Sequence, residues 1–424
     1  MKHKLLDLSV LKNIFSLVVL QAANYLLPLI QTPYLVRVLG VAEFGRVGFA
    51  QAITQFFIVF VEFGFNITAT RRIVITRLES PESMKREFWT FVYAKIFLVI
   101  FAATLIFTAA EFSLKIREIA GLLAPFFLWI IGQALMPQWY FQGIERMSLT
   151  AMFTISAKTL ILPLTFAFVR GQTDSHIYAV IFGFVNLAAG MAALICAALT
   201  VGRPTKLIPT AIVHALGDGF PIFISSVAVN LYSTANTVIL GFFSTSVEVG
   251  YFVGADKMIR AALGLISPIN GALFPRMNAL GQISKRAARQ GIQWILLTES
   301  VVMLIVALGL ALFSSTAVML FLGEKLLKSA ELLRIMSPML VVICVSNVLG
   351  PLGLLPAGKK KAYTSIIISS AIFHIIASMI IVPRWHAAGA AVVTLLTETS
   401  VALFMWLAMK RFWQKTETDL LIQN

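Results

Sequence analysis

Residues 88–110 read Phe-Trp-Thr-Phe-Val-Tyr-Ala-Lys-Ile-Phe-Leu-Val-Ile-Phe-Ala-Ala-Thr-Leu-Ile-Phe-Thr-Ala-Ala, with Lys95 as the only charge. As a helix this run reaches about 34 Å at 1.5 Å per residue, slightly more than a bilayer's hydrocarbon core. The same pattern recurs along the chain. The further segments lie at 13–33, 46–68, 119–141, 150–169, 177–199, 212–241, 247–274, 293–317, 326–349, 362–382 and 387–409. Over 424 residues, 59% are hydrophobic and 12% charged, against about half and a quarter in soluble domains. That composition predicts an all-α polytopic membrane protein with about 12 transmembrane helices. Little chain is left for anything else, which argues against most enzymes.

Basic residues report orientation. With the N-terminus placed in the cytoplasm, 21 of the 34 Lys and Arg residues fall in inner segments and 9 in outer ones. The other four, Lys95, Lys158, Lys257 and Arg260, lie within spans. The excess predicts cytoplasmic termini by the positive-inside rule. Lys2, Lys4 and Lys12 precede an apolar run that lacks a small-residue cleavage site, so it reads as the first span rather than a signal peptide. The +15 net charge is spread over loops, and no soluble domain carries it, so no nucleic-acid partner is expected. Cys196 and Cys344 both sit in apolar spans and read as small buried residues, without a disulfide or metal site.

The halves echo one another at an offset of 205, with Gly45 matching Gly250, Ala50 Ala255, Arg71 Arg276 and Trp89 Trp294. Farther on the offset drifts, and Pro125 meets Pro338. An even number of spans per half makes both halves enter from the same side, the parallel-repeat plan of many transporters. The expected organisation is two pseudo-symmetric six-helix lobes, 1–205 and 206–412, around a central cavity, with 413–424 as a cytoplasmic tail.

One apparent motif is false. Gly353-Leu-Leu-Pro-Ala-Gly358-Lys359-Lys360 approaches a P-loop but lacks the Ser/Thr that holds magnesium and follows no soluble strand. It reads as a helix end with a basic inner loop. No cofactor is expected.

Ionisable residues inside spans are the strongest functional candidates, because a lone charge at the bilayer centre costs at least about 2.5–3.5 kcal/mol. The set is Glu62, Lys95, Lys158, Asp256, Lys257, Arg260, Glu299, His374 and Glu398. Asp256 and Arg260 stand four apart, the spacing of an ion pair along one helix face, which turns Lys257 toward another side. Lys95 lies shallow enough to snorkel to the inner surface instead. Glu299 is equally shallow, and a structural ion pair explains it as well as function does. His374 titrates near neutrality when unperturbed and suits either a proton relay or a structural hydrogen bond. Pro28, Pro163, Pro221, Pro268, Pro338, Gly132, Gly264 and Gly309 are candidate kinks, a weak signal in membrane helices.

Two stretches carry a resemblance. The first is Pro33-Tyr-Leu-Val-Arg-Val-Leu-Gly-Val-Ala-Glu-Phe-Gly45, continuing to Glu62-Phe-Gly-Phe and Ala69-Thr-Arg-Arg72. The second is Gln138-Trp-Tyr-Phe-Gln-Gly-Ile-Glu-Arg-Met147, supported by Leu273-Phe-Pro-Arg-Met277. Together they resemble the O-antigen flippases (Wzx-type) of the multidrug/oligosaccharidyl-lipid/polysaccharide flippase superfamily, over roughly residues 8–412. Many relatives carry an acid where this chain has Gln138, so an acid-dependent role there does not transfer.

The resemblance implies a non-enzymatic transporter of an undecaprenyl-diphosphate-linked oligosaccharide in the bacterial inner membrane, with the polysaccharide polymerase machinery as a partner. A diphosphate crossing a bilayer needs cations, which Lys158, Lys257, Arg260 and Lys95 supply. With no nucleotide site, energy comes from an ion gradient, and Glu62, Glu398, His374 and Asp256 are the candidate coupling groups. The alternatives are a drug or cation exporter of the same superfamily, or a membrane enzyme acting on lipid-linked sugars.

Overall fold

The computed structural model describes the backbone of residues 8–422. Lys2 and Lys4, and the end of the tail at 423–424, lie outside the described residues, as do the side chains of Lys12, Arg276 and Lys415. Among the described residues every regular element is helical.

The chain folds as two compact units. The first comprises Arg37–Asn230 with the chain ahead of Pro28, and the second comprises Pro28–Val36 with everything from Leu231 onward. The first half of the chain forms α1 (Leu8–Glu62), α2 (Phe65–Glu79), α3 (Pro81–Phe112), α4 (Leu114–Glu118), α5 (Ala120–Leu135), α6 (Gln138–Gly143), α7 (Met147–Phe168), α8 (Ser175–Val201) and α9 (Pro209–Ser233). The second forms α10 (Ala235–Phe243), α11 (Ser246–Leu263), α12 (Ser267–Ile283), α13 (Lys285–Leu312), α14 (Ser314–Phe321), α15 (Ser329–Met336) and α16 (Met339–Asn347). A π-helical turn, Val348–Leu354, then leads to α17 (Lys360–Ile422).

Eight described helices are long and apolar enough to cross a bilayer, or nine when α15 and the α16 region, bent by 41° at Pro338, count as one span. Two of these helices are double. α1 has 55 residues and α17 has 63, about 83 and 95 Å at 1.5 Å per residue, more than twice a hydrocarbon core. Each breaks where a crossing ends. α1 breaks at Gly40, whose φ of 81° lies in the left-handed region that glycine enters at least cost. α17 breaks at His386, with φ of 46°. The second arm of α17 is received by Glu248, whose Oε2 accepts from the Ala387 N–H at 3.2 Å, satisfying a donor the helix itself leaves open.

The remaining crossing of the expected dozen is α11 with its continuation α12. It is too polar to stand out by hydropathy, because α11 carries Glu248, Asp256, Lys257 and Arg260 within 18 residues. The helix that looks least like a span is thus the one with the most chemistry.

The repeat is visible in the elements. α3 and α13 each start at a capping serine: Ser80 Oγ accepts from Ser83 N–H at 3.1 Å, and Ser284 Oγ from Ala287 N–H at 3.2 Å. Ahead of each lies a span whose continuation is offset by a break, at Phe63–Gly64 between α1 and α2 and at Gly264–Ile266 between α11 and α12.

One expectation changes. Gly132 is a packing glycine, not a kink. A Cβ there would lie 2.4 Å from the Asn186 carbonyl oxygen, and one at Gly190 would lie 2.1 Å from the Gly132 carbonyl oxygen. α5 and α8 therefore touch backbone to backbone, the small-residue contact that drives helix association in lipid. The Gln138-Trp-Tyr-Phe motif is core: Trp139, Tyr140 and Phe141 are buried, and the Phe88 ring lies 5.3 Å from Trp139 and 5.1 Å from Tyr140. The near P-loop is the π-helical turn followed by Gly358 at φ 73°.

Candidate functional site

The ionisable residues of the second unit gather around α11. One turn apart on that helix, Arg260 Nε donates to Asp256 Oδ2 at 2.6 Å, the pairing their spacing predicts. Lys257, about 100° further round than Asp256, donates from Nζ to Thr32 Oγ1 at 3.2 Å. Thr32 is fully buried and spends its own proton on the Pro28 carbonyl at 2.6 Å, so its oxygen is turned to accept from the ammonium. Pro28–Val36 belongs to the second unit, so this bond is internal to it. Glu398, on the second arm of α17, is buried within electrostatic reach of Arg260. Two cations and two carboxylates offset one another here, which lowers the cost of burying each.

A second polar layer lies alongside. His374 is fully buried, with Nδ1 2.9 Å from Thr397 Oγ1. The Thr397 hydroxyl donates to the Val393 carbonyl at 2.8 Å, so it must accept from histidine, and the ring carries its proton on Nδ1. Nε2 then presents a lone pair that finds no partner among the described residues, as does the hydroxyl of Ser370 one turn earlier. One turn later, Ser378 Oγ donates to Asn236 Oδ1 at 3.2 Å, and the Asn236 amide donates to Thr394 Oγ1. Ser370, His374 and Ser378 thus form a stripe on one arm of α17, faced by Thr394 and Thr397 on the other.

In the first unit, Lys95 does not snorkel. It is 2% exposed, its Nζ is 3.5 Å from the Gln133 carbonyl oxygen, and Glu62 lies within electrostatic reach. Lys158 is half-buried on α7. Arg72 of the Ala-Thr-Arg-Arg motif bridges Glu87 at 3.1 Å and Asp218 at 2.6 Å, tying α2 to α3 and α9.

The structure therefore brings Asp256, Lys257, Arg260 and Glu398 together in one unit, beside the His374 layer, and sets Lys95 against the Gln133 carbonyl with Glu62 within electrostatic reach in the other. Sequence reasoning missed Thr32, Asn236, Thr394, Thr397 and Ser378. Hydroxyls and amides in spans carry no charge penalty to flag them. Their one signal is recurrence at one-turn spacing, as in Ser370, His374 and Ser378. Glu299, read as an ion-pair candidate, instead accepts from the Cys344 thiol at 3.6 Å. Among the described residues no three His, Cys, Asp or Glu side chains are grouped to hold a metal ion.

Residues 10–281 match the family model described as polysaccharide biosynthesis protein. A relative from Escherichia coli (strain K12), named "Putative O-antigen transporter", is 34% identical over 94% of this chain and 96% of its own length. One of the same name from Shigella dysenteriae is 29% identical over 94% of this chain and 100% of its own. Among solved structures, the lipid II flippase MurJ in an inward closed conformation superposes with a TM-score of 0.73 at 14% identity, covering 93% of this chain and 87% of that one. An inward-facing multidrug resistance MATE family transporter of the MOP superfamily gives 0.67 at 13% identity, over 94% and 96%. These two likenesses establish the helical transporter fold. With the family model spanning more than half its length and a 34% identical relative matching nearly all of it, the chain belongs to the polysaccharide biosynthesis protein family.

Proposed function

We propose that this chain flips undecaprenyl-diphosphate-linked oligosaccharide repeat units from the inner to the outer leaflet of the bacterial inner membrane. It does so by alternating access of lobes 1–205 and 206–412, with both termini cytoplasmic. The observation that carries this reading is the constellation on α11. Lys257 and Arg260 sit in a membrane helix where lone charges are costly, held by Thr32, Asp256 and Glu398. A diphosphate is the kind of ligand that repays such cations, through charge-assisted hydrogen bonds. Arg260 already holds Asp256, so an arriving diphosphate competes with that carboxylate, and Glu398 and His374 are the groups whose protonation couples the exchange to an ion gradient. The relatives' shared name supports a surface-polysaccharide cargo, and the polymerase that consumes such units is the natural neighbour.

Deleting the gene tests this directly. Undecaprenyl-linked repeat units then accumulate and surface polysaccharide disappears. Unchanged surface polymer with heightened sensitivity to a cationic drug would instead favour the exporter reading.

A further inference from the structure

At one end of the second unit, α12, α13, the π-helical turn and the end of α17 line a small open pocket with a cavity volume of about 30 Å³. Its floor is apolar, formed by Met277, Ile292, Leu352 and Met409. Its rim is basic. Lys285 stands on the first turn of α13, and Arg289 lies one turn on, its guanidinium 5.2 Å from the centre of the Trp413 ring. Two further cations rest on aromatic rings beside it: Lys359 Nζ is 5.5 Å from the Phe412 ring centre and Lys410 Nζ is 5.1 Å from that of Trp406.

Acids are few beside this charge in the sequence, Glu417 and Asp419 beyond Trp413 standing closest to the segments that line the pocket. The three segments that build the pocket contribute Lys285, Arg286, Arg289, Lys359, Lys360, Lys361, Lys410 and Arg411. Residues 257–298, 332–397 and 399–416 contain neither Asp nor Glu. Glu398, which separates the last two stretches, belongs to the α11 constellation. Eight cations against Glu417 and Asp419 set the pocket apart from that constellation, where carboxylates match the cations in number. A predominantly basic rim over an apolar floor, at the end of membrane-crossing helices, fits a ligand that is anionic at its head and apolar below it. Basic pockets between membrane helices are suited to anionic lipid headgroups.

We propose that this pocket binds the headgroup of an anionic phospholipid of the inner leaflet, its phosphate between Lys285 and Arg289 and the start of its chains on the apolar floor. The leaflet rests on the orientation given under Proposed function; the headgroup chemistry does not. The site is distinct from the α11 constellation and takes a resident lipid rather than the cargo.

Trp413 lines the pocket and makes the proposal measurable. The full-length protein is placed in bilayers of phosphatidylcholine containing a minor fraction of brominated phosphatidylglycerol or, in a matched sample, brominated phosphatidylcholine. The Trp413 contribution is isolated by difference from Trp413→Phe. Brominated phosphatidylglycerol is expected to quench that contribution more strongly than the zwitterionic lipid. Lys285→Gln is expected to reduce the preference about fivefold, equivalent to ~1 kcal/mol for one basic residue near an anionic surface. Arg289→Gln does the same. Arg289 rests on the Trp413 ring whereas Lys285 stands one turn away, so agreement between the two variants excludes a change in the fluorophore alone. Equal quenching by both lipids, or a preference untouched by both variants, overturns the proposal. So does loss of the preference on adding inorganic phosphate but not chloride at matched ionic strength, which would assign the pocket to a free anion. None of these readouts requires transport, so they stand or fall apart from the flipping assay.

Discussion

Inside an apolar bundle Lys257 donates to Thr32, a hydroxyl whose proton is already committed to the Pro28 carbonyl. A buried ammonium needs acceptors for its N–H groups as well as counter-charge nearby, and a threonine fixed in this way is one such acceptor. The arrangement predicts graded losses in reconstituted vesicles. Lys257→Gln removes a charge-assisted hydrogen bond of ~1.5–3 kcal/mol, so flipping is expected to fall about tenfold or more with membrane abundance unchanged. Thr32→Val, which keeps the shape and removes the acceptor, is expected to fall less. Equal flipping in wild type and Lys257→Gln would remove Lys257 from the transport machinery. The lysine was legible in the sequence because a charge in a span is conspicuous. Thr32 was not, since it lies 225 positions away and nothing local marks which of many span hydroxyls will meet an ammonium.

At the scale of elements, the same contrast separates what periodicity shows from what it hides. Lengths and apolar runs were readable, including the long crossings that α1 and α17 place on either side of a break. The breaks are legible only in part. Gly40 is a glycine at a left-handed position, whereas His386 adopts φ 46° with no such signature and is held by Ser244, 3.0 Å from its Nδ1, and by Glu248 at Ala387. Gly132 illustrates the opposite error, because a glycine in a span looks alike whether it bends a helix or admits a neighbour. The packing of α5 on α8 makes the distinction measurable. A Cβ at Gly190 would stand 2.1 Å from the Gly132 carbonyl oxygen, while one at Gly309 on α13 meets nothing within 4 Å among the described residues. Gly190→Ala is therefore expected to destabilise the purified protein by ~1–3 kcal/mol through overpacking, lowering its apparent Tm. Gly309→Ala is expected to leave Tm unchanged or raise it, since alanine is the better helix former. A Gly190→Ala protein as stable as the wild type would show that the two helices do not pack backbone to backbone.

For the molecule as a whole, charge and repeat constrain each other. An even number of crossings in each half would return the chain to the side it started from and gather basic residues from both halves on one face, where the expected spans put 21 of 34. The same count makes the orientation a single binary choice, because one reversed crossing would scatter the bias. The two native cysteines help to test it. Cys344 is buried and Cys196 half-buried, neither is disulfide-bonded, and both lie in helices that cross the bilayer, so replacing both with alanine leaves a background for single reporters. Arg170→Cys lies in the exposed loop between α7 and α8, and Lys360→Cys at the exposed start of α17. A membrane-impermeant maleimide applied to intact spheroplasts is expected to label Arg170→Cys and to reach Lys360→Cys only after permeabilisation. The reverse pattern would place the basic face outside, turn the proposed direction of flipping around, and move the lipid pocket to the other leaflet. Labelling of both positions in intact spheroplasts would mean that an even number of crossings, rather than five or another odd number, separates residue 170 from residue 360. In that case α11, the charge-bearing crossing that hydropathy passes over, is the helix to re-examine, because the odd count between those two loops depends on it.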